Sequence, residues 1–153
     1  MAATAALING SDLIIKFGTA ATGETEIAYG TSCSLEVSRD EIDQSNKNSG
    51  AWKSVIPGMR SWTLSAEALY FIGTPAAPYA SMDTAESIYA AFLNDATNTA
   101  EVFIEFTLRT ADAADKFYSG KAIITSFSLS GGVEDQATFS VSLSGNGELT
   151  LAV

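Results

Sequence analysis

The chain has 153 residues, enough for one domain with its own core, residues 1–153. Hydrophobic residues make up 46% and charged residues 17%, which excludes a disordered chain, and 18 acidic against 8 basic side chains leave a net charge of −10, which excludes gripping nucleic acid by phosphate neutralisation. There is no histidine, so Ser-His-Asp triads, Cys-His dyads and His-bearing zinc sites are excluded, and the single Cys33 excludes an internal disulfide.

The N-terminal stretch Met1 to Ile8 is Ala-rich but lacks the basic region of a signal peptide. Short strands are predicted at 12–17 and 24–29. Over 32–39, Cys33, Leu35 and Val37 alternate with Ser32, Ser34, Glu36 and Ser38, the period-two mark of a half-buried strand. Over 61–70, Trp62, Leu64, Ala66, Ala68 and Tyr70 alternate with Ser61, Thr63, Ser65 and Glu67.

Between these two strands lies a stretch, about 40–60, far longer than the ~2–5 residues of a hairpin loop, and such loops are usually functional or disordered. It begins polar, then carries Trp52, Val55 and Ile56, with Pro57-Gly58 read as a turn. From Gln44 to Ala66 it has Lys47, Lys53 and Arg60 and no acid. A basic arm with an apolar cluster extending from an acidic body favours head-to-tail association, which makes rings or open stacks. A loop folded back on its own domain is the plainer alternative.

Helical spacing appears once: Ala85, Ile88, Tyr89 and Phe92 follow i, i+3, i+4, i+7, predicting a flanking helix at about 83–94. Asp83 with Glu86 reads as its capping box, and Asn94-Asp95 as its exit. Ile88 to Leu93 is the longest apolar run, too short to span a membrane. Strands follow at 101–109, 121–130, 137–144 and the C-terminus. In 121–130, Ile123, Phe127 and Leu129 are read on one face, with Ser126, Ser128 and Ser130 on the other. Phe103, between Glu101 and Glu105, marks a possible second buried face. Gly131-Gly132 reads as a turn and Gly145-Asn146-Gly147 as a tight hairpin.

The fold class is therefore mainly β: a β-sandwich or curved antiparallel sheets with one flanking helix and a long interstrand loop. No catalytic constellation, cofactor motif or metal-ligand spacing stands out, and the chain is read as a non-enzyme. The polar strand faces carry mostly Ser and Thr where an exposed sheet normally carries longer charged residues. Ser34, Glu36, Ser38, Thr63, Ser65, Glu67, Ser126, Ser128, Ser140 and Ser142 are the candidates for a smooth, non-sticky wall.

The run from Cys33 to Tyr70 resembles the major tail tube proteins of long-tailed bacteriophages and of related gene transfer particles. The matching positions are Ser49, Gly50, Trp52, Lys53, Pro57, Gly58, Ser61, Trp62 and Ser65, and the C-terminal segment from Gly132 to Leu149 resembles the family's closing hairpin. The resemblance implies a virion tail protein, made in the host cytoplasm, that self-assembles into hexameric rings stacked head-to-tail as a tube. It implies a lumen housing a tape-measure protein and passing double-stranded DNA without specific binding, with tail terminator and tail-tip proteins as further partners. It also implies that the arm, with Lys47, Trp52, Lys53, Val55, Ile56, Pro57 and Arg60, reaches a neighbouring subunit or ring. The alternative reading is a monomeric β-sandwich that binds carbohydrate or decorates a virion. No membrane insertion and no cofactor are expected.

Overall fold

A computed structural model describes residues 10–18, 24–27, 29–47, 50, 52–71, 82–93, 101–108 and 116–152. The strands are β1 (Leu13–Gly18), β2 (Thr25–Glu26), β3 (Gly30–Asp43), β4 (Val55–Leu69), β5 (Glu101–Leu108), β6 (Phe117–Ser130), β7 (Thr138–Gly145) and β8 (Thr150–Ala152). The helix α1 spans Ala85–Leu93. All strands join one antiparallel sheet in the order β2-β1-β5-β6-β7-β4-β3, with β8 alongside β6. The sheet curls until its distant parts meet: the Cys33 thiol on β3 donates to the Leu13 carbonyl at 3.5 Å. Burial pushes that thiol's pKa up, which favours its protonated form.

The alternation follows directly into packing. Leu64, Ala66 and Ala68 of β4 are buried with Phe139, Val141 and Leu143 of β7 and Ile124 of β6. Val102 and Ile104 of β5, Ile15 and Phe17 of β1, and Ala85 and Ile88 of α1 complete the same cluster. Each of the larger side chains contributes about 1.5–3 kcal/mol by leaving water. Phe127 is stacked on Phe139 at 5.7 Å and in turn carries Tyr89 of α1 at 5.4 Å, which seats the helix on the sheet. Ile14 and its register partner Thr107 are also buried, on the side of β1 and β5 opposite Ile15. Phe103 shares that side of β5.

Five local readings are corrected. The cap of α1 is Thr84, not Asp83. The Ser87 N–H reaches Thr84 Oγ1 at 3.4 Å, and the Thr84 N–H donates to Ser87 Oγ at 2.9 Å. Asp83 instead ties the helix entrance to β2. Its backbone N–H donates to Glu26 O, and its carboxylate accepts from Thr25 and Ser87 hydroxyls. The predicted exit at Asn94-Asp95 lies outside the described residues.

The polar stretch 40–60 is mostly paired strand. β3 and β4 stay in register to Asp43↔Val55, so the connecting segment shrinks to residues 44–54. Pro57-Gly58 is not a turn but part of β4. A bulge there sets Arg39 opposite Arg60 and then Glu41 opposite Pro57. A second bulge, at Thr125, moves Ile123 onto the polar side and puts Ile124 in the core. One extra residue inverts every side chain beyond it.

Gly145-Asn146-Gly147 does not reverse the chain. β7 and β8 both run antiparallel to β6, with Gly145 opposite Ala122 and Thr150 opposite Ser119. The glycines instead make room for Trp62, only 4% exposed. A methyl group at 145 would sit 2.1 Å from Trp62 Cε2, and one at 120 would sit 2.9 Å from Cζ2. The indole N–H donates to the Gly147 carbonyl at 3.1 Å, with Gly147 at φ 94°.

Gly145→Ala should lower stability by at least ~1–3 kcal/mol, because either the indole or two strands must shift. Urea unfolding checks this, and a stability equal to wild type would contradict the packing.

Burial raises the pKa of Asp83 above the usual carboxylate value, against the pull of the Thr25 and Ser87 hydrogen bonds. The folded chain therefore holds the Asp83 proton more tightly than the unfolded one. The charged form is unfavourable above the raised pKa, and that burden is relieved as pH falls through it. Asp83→Asn should be at least as stable as wild type at pH 7, with the difference shrinking toward pH 4 in urea melts.

Candidate assembly and lumen surfaces

The register brings the small polar residues together. Ser34 lies opposite Ser65, and Glu36 opposite Thr63. Ser65 lies opposite Ser142 and Glu67 opposite Ser140. Ser142 and Ser140 then lie opposite Ser126 and Ser128. With Ser38 opposite Ser61, all ten candidate wall residues occupy one face of the four-stranded array β3-β4-β7-β6, away from the core. Period-two geometry and in-register pairing make this outcome necessary once the opposite face is buried.

The hydroxyls are largely satisfied by one another. Ser34 and Ser65 lie 2.7 Å apart, Ser38 and Ser61 2.8 Å, and Ser128 and Ser140 2.7 Å. Ser32 donates to the Glu67 carboxylate at 3.1 Å. None of the ten candidate wall residues is Lys or Arg, and Glu36 and Glu67 are the acids among them. Lys121, further along the same side of β6 beyond Ile123, is paired with Glu101 at 3.2 Å and lies over the Phe103 ring. The face thus offers few free donors and no lone cation to a passing phosphate.

The second surface is the β3–β4 hairpin. The last pair between β4 and β7 is Thr63↔Ser144 and β7 ends at Gly145, level with Trp62, so Val55 to Ser61 run past the end of β7. At ~3.3 Å per residue the overhang is about 23 Å. Trp62 is clamped at its root.

At the tip, the Gln44 N–H donates to Ser54 O at 2.8 Å and the Ser54 N–H to Ser45 Oγ at 3.0 Å. Asp43 Oδ1 accepts from the Ser45 N–H, and the bonds from Ser45 lower the Asp43 pKa. Lys53 pairs loosely with Glu41 at 3.7 Å.

Trp52 is 85% exposed and Met59 81% exposed, while Ile42, Val55 and Ile56 are exposed to a lesser degree. Lys47, Pro57 and Arg60 are exposed as well, so the whole predicted arm set lies together on this hairpin. Ile42 and Met59 were missed in the sequence. The register supplies the reason for Ile42, which sits directly opposite Ile56.

The array also has two open edges. Among the described strands, β3 is paired only on its β4 side, and the Ile124–Ser130 part of β6 only on its β7 side. Open strand edges present unpaired N–H and C=O groups, a template for pairing with another chain.

A hydroxyl face, a projecting apolar-tipped hairpin and two open strand edges define a protein that works through its surfaces. The family model for phage tail tube proteins matches residues 7–151, and the chain belongs to that family. It is a structural protein of a virion tail tube. No curated protein matches it.

Three solved structures share the fold. A chain from the virion of a native gene transfer agent particle is 16% identical, with a TM-score of 0.69 over 96% of this chain and 100% of that one. A chain from the tail of an empty gene transfer agent particle with C6 symmetry is 18% identical, with a TM-score of 0.69 over 96% and 100%. The SPP1 tail tube is 20% identical, with a TM-score of 0.68 over 94% of this chain and 78% of that chain.

Proposed function

We propose that six copies of this chain close into a ring whose inner wall is the β3-β4-β7-β6 array. The carrying observation is the pair of open edges flanking one continuous hydroxyl face. The four strands alternate in direction, so β3 of one copy meets β6 of the next antiparallel, and an even number per copy keeps the closed barrel antiparallel throughout. The six-fold symmetry of the gene transfer agent tail supports the number.

Six arrays of four strands at ~4.8 Å spacing and a tilt of ~40° give a backbone diameter of about 48 Å. Small side chains leave a bore of roughly 38 Å, wider than duplex DNA. The wall bears twelve carboxylates per ring from Glu36 and Glu67, which repel phosphate and let DNA slide. In assembly the same lumen houses a tape-measure protein, and tail terminator and tail-tip proteins meet the two tube ends. The chain acts without catalysis or cofactor in a tail assembled in the host cytoplasm.

The overhanging hairpin joins one ring to the next. Trp52→Ala should leave a folded subunit that forms few tubes, since truncating an interface Trp commonly costs about 2 kcal/mol or more. Negative-stain electron microscopy and circular dichroism check this. Tubes of normal length from the mutant would exclude a connecting role for Trp52.

The lumen assignment has its own measure. Replacing Glu36 and Glu67 by Lys should permit tubes but slow DNA delivery, most at low salt, where screening is weakest. Unimpaired delivery by normal-looking particles would place these side chains off the bore.

A further inference from the structure

The sequence has two Asn-Gly pairs, Asn9-Gly10 and Asn146-Gly147, and Asn9 lies outside the described residues. This dipeptide is chemically reactive, because glycine has no side chain to shield its backbone nitrogen from the carboxamide before it. Asn146 and Gly147 are exposed in the segment between β7 and β8 and line an open cleft with Glu148, Lys121 and Ser119. A Cβ at Gly147 would meet nothing within 4 Å, so the reacting nitrogen is not crowded from that side. The Asn146 carboxamide is nevertheless held. Its Nδ2 donates to Glu101 Oε1 at the start of β5, and the Asn146 backbone N–H donates to Lys121 O at 2.7 Å. Lys121 Nζ pairs with the other Glu101 oxygen at 3.2 Å, which fixes the carboxylate from its far side.

We propose that Asn146-Gly147 is a site of spontaneous modification and that Glu101 is the positioning residue that holds it in check. In the reaction the Gly147 backbone nitrogen gives up its proton and attacks Asn146 Cγ. The new C–N bond closes a succinimide ring, the Cγ–Nδ2 bond breaks, and Nδ2 leaves as ammonia with that proton. Water then opens the ring at either carbonyl and leaves an aspartyl or an isoaspartyl residue. The balance is one water in and one ammonia out. Attack requires the carboxamide to swing onto the Gly147 nitrogen, and the bond to Glu101 opposes that rotation. The carboxylates of Glu101 and Glu148 also disfavour the deprotonated nitrogen. Glu101 is 45 residues away in the chain, so only the folded state supplies this restraint.

The product strikes the Trp62 seat. An aspartyl side chain at 146 cannot donate to Glu101 at neutral pH and faces it with like charge. An isoaspartyl linkage adds a methylene to the main chain just before Gly147, whose carbonyl accepts from the indole N–H at 3.1 Å. The proposal concerns a single folded copy and stands independently of the tube reading.

Timed incubation at mildly alkaline pH tests this, with peptide mass spectrometry reading the amide-to-acid change at Asn146 and an enzymatic assay reading isoaspartate. Folded wild type should convert more slowly than the urea-unfolded chain by roughly tenfold or more, the factor that one charge-assisted hydrogen bond puts on a rate. Equal rates, or no conversion in the unfolded chain, would overturn the proposal. Glu101→Ala, shown folded by circular dichroism, should convert several-fold faster than folded wild type. Glu101→Gln keeps an oxygen that accepts from Asn146 Nδ2 and should recover much of the protection. Conversion of E101Q as fast as E101A would overturn the positioning role. Should E101A not fold, Lys121→Ala removes the second hold on Glu101 and takes its place, again converting faster than wild type. In a Trp52→Phe background, converted protein should show Trp62 emission moved to longer wavelength, and unchanged emission would break the link to the seat.

Discussion

Much of the molecule hangs on one indole ring. Trp62 is the last deeply buried residue of β4 before the strand leaves the body, and Gly120 of β6, Gly145 of β7 and Gly147 of the β7–β8 segment form its seat. Gly120 and Gly145 have no side chain because the ring occupies that volume, and Gly147 turns its carbonyl to the indole N–H. A Trp so enclosed is worth several kcal/mol. That energy fixes the point at which the hairpin departs and the slip between β7 and β8 along β6. The reach and angle of the arm are therefore set from inside the core.

The hydroxyl face solves a different problem. On the proposed reading, a wall that touches a polyanion without holding it offers few free cations and few free N–H and O–H donors. Cross-strand serine pairs bond to one another and leave fewer groups to bond elsewhere. Short side chains keep the wall thin and cost little ordering entropy. The long charged residues of an ordinary exposed sheet would make the face thicker and add flexible hooks.

Directionality comes from the asymmetry of the strands. β4 outruns β7 at one end only, and the β6–β7 turn, with Glu134 and Asp135, lies at the other. Open edges on β3 and β6 run along the sides. In the proposed assembly, lateral contacts would be backbone ladders and axial contacts side-chain packing. Mutations can separate the two.

The sequence by itself determined the strands, the helix, the absence of histidine chemistry and the membership of the polar face. Those features are local: alternation at Ser34-Leu35-Glu36 or Thr63-Leu64-Ser65 reports burial of one face wherever the strand ends up. The stretch that carries the seven named arm residues also stood out, because a Trp and two β-branched residues in a polar, acid-free stretch are anomalous in composition, and the structure leaves those residues exposed on the hairpin. What only the tertiary structure decided are features set by distant partners. Thr125 and Gly58 became bulges through pairing with β7 and β3. Thr84 took the helix cap because Asp83 was drawn to Thr25. The glycine–asparagine–glycine run has the composition of a hairpin, yet it serves a Trp more than eighty residues away in the chain. No window of sequence contains both halves of that contact, and so no local pattern could have shown it.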